Sequence, residues 1–99
     1  MYSLNSRKTS SGIVYTGSCL LFHMFVGTDK TNDPEITIYD GTNNTGTEVV
    51  PTNTYDATAL GLNGFCLATP IKCGTGIYVE ITCGGNVEVN IGYFPQKAW

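Results

Sequence analysis

Between residues 77 and 93 the hydrophobic and polar positions alternate with a period of two. The apolar side chains are Ile77, Val79, Ile81 and Cys83, and then Val87, Val89, Ile91 and Tyr93. Each stretch reads as a β-strand that buries one face and wets the other. Keeping both apolar sets on one face of a hairpin puts residue 83 opposite residue 87. Gly84-Gly85-Asn86 is then a three-residue loop with Asn86 as its left-handed residue. The same register pairs Tyr78 with Gly92, Glu88 with Thr82 and Glu80 with Asn90.

Upstream, Cys19-Leu20-Leu21-Phe22-His23-Met24-Phe25-Val26 is apolar at both parities, the mark of a strand covered on both faces. One cover is the domain core, and the other is a chain terminus, a second sheet or a neighbouring subunit. Ile13-Val14-Tyr15 is a short apolar run, residues 27–34 form a polar loop, and Glu35–Asp40 alternates as a strand. The chain turns at Gly41–Gly46 and resumes as a strand at Thr47–Val50, which stops at Pro51. Residues 51–61 read as irregular, with one helical turn near Tyr55–Leu60. Gly64–Ala68 and Pro70–Cys73 form two further strands before the Gly74-Thr75-Gly76 turn. About six to eight short strands separated by turn residues predict an all-β protein, a single antiparallel β-sandwich or barrel-like domain. It spans residues 12–94 and contains the C-terminal hairpin 77–93. Residues 1–11 read as a polar N-terminal arm and 95–99 as a C-terminal tail. Both are expected to be anchored, on another subunit or on the chain's own sheet.

Composition narrows the function classes. Only 13% of the 99 residues are charged, against about 25% in average domains. The net charge is −3, and Arg7, Lys8, Lys30, Lys72 and Lys97 are spread too thinly to form a basic stripe. Nucleic acid is therefore not expected as a direct partner. The longest apolar run, Cys19 to Val26, falls well short of the roughly 18 residues of a membrane span, and the first eight residues lack the apolar run of a secretory signal. Cys19, Cys66, Cys73 and Cys83 match no zinc spacing, and they are read as buried thiols and not as disulfides.

Candidate chemistry is sparse, and the chain is not expected to be an enzyme or to need a cofactor. His23 is the only histidine; in an apolar strand it reads as structural, with no nucleophile motif nearby. Asp29, Asn32, Asp33 and Asp40, with Glu35, offer oxygen ligands for calcium, but their spacing is not that of an EF-hand. Asx side chains in such a loop more often cap turns. Asn43-Asn44-Thr45 matches a glycosylation sequon and reads as an ordinary turn. Aromatics gather towards the two ends of the chain. The expected contact surface comprises Tyr2, Leu4, Arg7 and Lys8 of the arm, Phe22 and Phe25 of the double-sided strand, and Tyr93, Phe94 and Trp99 of the tail.

Val26-Gly27-Thr28-Asp29, then Asn32-Asp33-Pro34-Glu35-Ile36-Thr37-Ile38-Tyr39-Asp40-Gly41, Gly46-Thr47 and a later Gly76-Ile77-Tyr78-Val79 together carry a resemblance. Over residues 12–94 the chain resembles small β-sandwich virion structural proteins of tailed bacteriophages. The resemblance implies a non-enzymatic structural subunit, a capsid decoration (cement) protein or a neck or tail component. Its partners would be copies of itself, for example in a trimer, and the major capsid protein or a neck or tail protein. Its place would be the virion, assembled in the host cytoplasm. Ile38-Tyr39-Asp40-Gly41 alone is also similar to a segment of CUB domains, whose cysteine spacing the chain does not share. The alternative is a carbohydrate-binding, lectin-like β-sandwich using the loops Asp29–Glu35 and Asp40–Gly46, with calcium as a candidate ligand.

Overall fold

A computed structural model describes residues 3–58 and 63–96. The strands are β1 (Leu4–Lys8), β2 (Gly12–Thr16), β3 (Cys19–Thr28), β4 (Glu35–Asp40), β5 (Thr47–Thr54), β6 (Asn63–Cys73), β7 (Gly76–Thr82) and β8 (Val87–Pro95). They form two antiparallel four-stranded sheets, ordered β1-β8-β3-β6 and β2-β7-β4-β5. The two pack as the β-sandwich expected from the turn spacing. Its core is Cys19, Leu21, Met24 and Val26 of β3 with Val87, Val89 and Ile91 of β8, set against Ile36 and Ile38 of β4 and Ile77 and Val79 of β7. Each of the larger aliphatic side chains contributes about 1.5–3 kcal/mol through burial.

The predicted hairpin is not formed. β7 pairs with β2 and β4, whereas β8 pairs with β1 and β3, so the two strands belong to opposite sheets. Their shared parity is real, because Ile77, Val79, Val87, Val89, Ile91 and Tyr93 are all buried. Two strands facing each other across a core show the same alternation as two strands side by side, and parity alone does not separate the cases. The loop after Cys83 carries the chain from one sheet to the other. Asn86 keeps a negative φ; among the described residues other than glycine, only Lys30 has a positive one. The pairs derived for the hairpin fall with it: Tyr78 lies opposite Ile13 and Tyr39, and Gly92 opposite Asn5 and His23.

β3 owes its mixed apolar pattern to a bulge. Leu21 pairs with Tyr93 and His23 with Gly92, leaving Phe22 as the extra residue. The inward set therefore changes parity, from Cys19 and Leu21 to Met24 and Val26, all buried. That switch accounts for half of the strand's two-sided apolarity. The rest lies on the outer face of the sheet.

The first strand packs on the chain's own sheet. Leu4–Lys8 pairs with Val89–Tyr93 as an edge strand, so this part of the expected arm is the sheet's fourth member. Pro51 does not end β5, which runs on to Thr54 along the other sheet's edge. A missing N–H is tolerated there. The two strands expected at 64–68 and 70–73 are one, β6, with an irregularity between Cys66 and Ile71. Of the helical turn expected over 55–60, Ala57 and Thr58 form a turn whose amides donate to Asp33 and Asp56 at 2.8 and 2.9 Å. Residues 59–62 lie outside the described residues.

Candidate functional site

The outer face of the β1-β8-β3-β6 sheet carries a row of rings. The Phe94 and Phe22 centroids are 5.3 Å apart, Phe22 and His23 meet edge-on at 5.4 Å, and His23 stacks on Phe25 at 4.8 Å. All four residues are half-buried. The backbone explains the row. The bulge turns Phe22 to the same side as His23, while Phe94, next to inward Tyr93, projects outward. On β8 the neighbour of His23 is Gly92, where a Cβ would overlap the imidazole. The absent side chain lets the ring settle across β8. Burial lowers the His23 pKa, so the ring is neutral near pH 7, and its Nδ1 is buried without a hydrogen-bond partner. These rings form an apolar plate of the kind found at the centre of protein contacts.

Beyond Phe25 the plate runs into a shallow hollow of ≈ 150 Å³ lined by Arg7, Phe25, Gly27, Glu88 and Asn90 together with Val26 and Val89. Arg7 and Glu88 form an exposed ion pair across β1 and β8. Each holds the other's charged form, so the Arg7 pKa rises and the Glu88 pKa falls. Such a pair adds little to stability. It does give the hydrophobic face a charged, hydrogen-bonding rim.

The residues expected at a contact surface divide into groups. Phe22, Phe25, Phe94 and Arg7 come together on this face. Leu4 and Lys8 sit on the edge strand opposite Tyr93 and Val89, at the other parity, and Leu4 is 38% exposed. Tyr93 belongs to the core, its ring 5.3 Å from Tyr15, because its parity is that of Ile91 and not of Phe94. Tyr2 and Trp99 lie outside the described residues. Sequence reasoning missed His23 and Gly92 as parts of the face. A glycine inside a strand pattern signals a close approach, and that signal was present at 92.

Of the calcium candidates, Asp29 and Asn32 meet each other, while Asp33 and Asp40 are engaged elsewhere. Asp29 accepts from the amides of Thr31, Asn32 and Asn86 at 2.9, 2.8 and 3.2 Å and from the Asn32 side chain at 2.8 Å. These donors hold its carboxyl down at a pKa of about 2. Asp33 caps Ala57. Asp40, at the far end of β4, accepts from the amides of Gly74, Thr75 and Gly76 at 3.0, 2.9 and 3.3 Å. Among the described residues no group of three or more His, Cys, Asp or Glu side chains is placed to hold a metal ion. The Asx residues work as ties between loops, as their turn propensity suggests. Asn43 likewise accepts from the Thr45 amide at 2.9 Å within its turn.

Glu80 and Glu88, which the hairpin register put on neighbouring strands, are on different sheets; Glu80 accepts from Asn44 at 3.0 Å and Tyr39 at 3.4 Å. Cys66 is the β6 register partner of His23, but the His23 ring leans onto β8, on the opposite side of β3. No nucleophile and base are aligned there. Comparison with family models, with curated proteins and with solved structures returned no match.

Proposed function

We propose that this chain is a non-enzymatic structural subunit of a tailed-phage particle, in the role of a capsid decoration protein, and that it acts by surface burial. The supporting observation is the row Phe94-Phe22-His23-Phe25, half-buried on an otherwise complete sandwich. The stretch from Val26 to Gly41, with its resemblance to small virion proteins, supplies the biological setting. In this reading the plate packs against a second copy of the chain, the resulting oligomer seats on the shell, and the rim of Arg7, Glu88 and Asn90 sets the register. A subunit that binds only the assembled lattice stabilises it by mass action, with no chemistry required. The test is particle composition. Virions purified from the genome that encodes the chain should contain it in stoichiometric amount by quantitative mass spectrometry. Its absence from washed virions contradicts the role.

One observation favours a second reading. Phe25 beside Arg7, Glu88 and Asn90 is an arrangement on which a sugar ring could stack and hydrogen-bond, on the sheet face and not in the acidic loops. Under that reading a monomeric chain binds oligosaccharides without calcium, and F25S abolishes binding.

A further inference from the structure

The sandwich holds a second pair of groups that the proposed role does not use. Cys19 on β3 and Cys73 on β6 are direct register partners in an antiparallel ladder. Both point into the core, and both are fully buried. Residues opposed in such a ladder have Cα atoms about 4.5 or 5.5 Å apart, inside the roughly 4.4–6.8 Å that a disulfide spans. The other two cysteines lack such a partner: Cys66 is exposed on the outer face, and the Cys83 thiol is directed at the Asn32 carbonyl at 3.8 Å.

From this geometry we infer that Cys19 and Cys73 form a built disulfide site, which converts the sandwich to a cross-linked form when it folds in the presence of a disulfide oxidant such as oxidised glutathione. The two side chains are adjacent register partners on the inner face of the sheet. Written with Cys19 as the first nucleophile, the exchange proceeds in two steps. The Cys19 thiolate attacks one sulfur of the glutathione disulfide. A Cys19–glutathione bond forms, the glutathione S–S bond breaks, and the first glutathione leaves with the Cys19 proton. Cys73 then loses its proton and attacks the Cys19 sulfur, expelling the second glutathione as a thiol. Two electrons pass from the protein dithiol to glutathione.

Because both sulfurs are sealed in the core, exchange takes place before the sheets close or through opening of the sandwich. The site also sits where a bond matters. The bridge closes a loop of roughly 50 residues, which restricts the unfolded chain. It also joins β3 to β6 at the end of the sandwich where Gly17 donates to the Thr75 carbonyl at 2.8 Å and Gln96 to that of Ser18 at 3.0 Å. A subunit made under reducing conditions would fold with free thiols. The same sequence folding in an oxidising medium would acquire a staple that later reductant cannot readily reach. This inference is independent of the partner that the aromatic face binds.

The experiment refolds the full chain in a glutathione redox buffer and, in parallel, in excess dithiothreitol, followed by alkylation and peptide mapping. The expected product lacks two hydrogens by intact mass, links the Cys19 and Cys73 peptides, and carries alkyl groups on Cys66 and Cys83. Its melting temperature should exceed that of the reduced form by roughly 10–20 °C. A chain carrying Cys66→Ser and Cys83→Ser, which removes competing partners, should give the same bridge and the same shift. Alkylation of both Cys19 and Cys73 after denaturation, a dominant bridge through Cys66 or Cys83, or a bridge that leaves the melting temperature unchanged would each overturn the inference.

Discussion

The imidazole of His23 occupies the space that a side chain at Gly92 would fill, one strand over on the same sheet face. This contact links the bulge in β3 to the glycine in β8, and it holds the middle of the aromatic row in place. Gly92→Ala should destabilise the fold by about 1–3 kcal/mol, the usual cost of overpacking. In the His23→Ala background the same substitution should cost much less, giving a coupling above about 0.5 kcal/mol in a double-mutant cycle. Additive effects in urea unfolding would show that the ring is not held by this contact.

Asp29 predicts a pH dependence of stability. Its carboxyl has an ordinary value of 3.8 and is held at about 2 by the amides around it. The folded value lies below the unfolded one, so the stabilisation is fully present above the unfolded pKa and is lost as pH falls from 3.8 through about 2. The wild type should therefore melt higher than Asp29→Asn by a constant margin above about pH 5. Below 3.8 the two melting curves should converge. A margin that persists unchanged at the acid end would contradict the assignment.

Asp40 ties the β6–β7 turn to the end of β4 through three amides. Asp40→Ala should lower stability by about 1–2 kcal/mol, seen as a lower urea midpoint with an unchanged slope. Hydrogen exchange at Gly74, Thr75 and Gly76 should accelerate while Val79 and Ile38 stay protected. Uniform acceleration across the core would mean that the carboxylate supports the whole fold and not the turn.

The sequence pattern carried the sandwich architecture and the inward face of β7 and β8, because alternation reports which side is buried. It could not report which strand lies alongside. Ile77–Cys83 and Val87–Tyr93 alternate identically whether they pair or face each other, and only the sheet assignment distinguishes them. The bulge at Phe22 was hidden for a related reason. A change of inward parity between Leu21 and Met24 looks, in sequence, like a strand apolar on both sides. Even so, the excess of large apolar residues in that strand pointed to Phe22 and Phe25, which do stand on the outer face. The roles of Asp29 and Asp40 depended on loops brought together from distant parts of the chain, Asp29 with Asn86 and Asp40 with Gly74. No local spacing encodes those contacts.

Size-exclusion chromatography with light scattering, run on the full chain and on a Phe22→Ser/Phe25→Ser variant, tests the aromatic contact surface most directly. The account predicts that the wild-type chain elutes as a multiple of its 10.6 kDa mass. The variant should elute at the single-chain mass with its circular dichroism spectrum unchanged, because both rings lie outside the core. A wild-type chain that stays monomeric at every concentration, or a variant that assembles as well as the wild type, would contradict it.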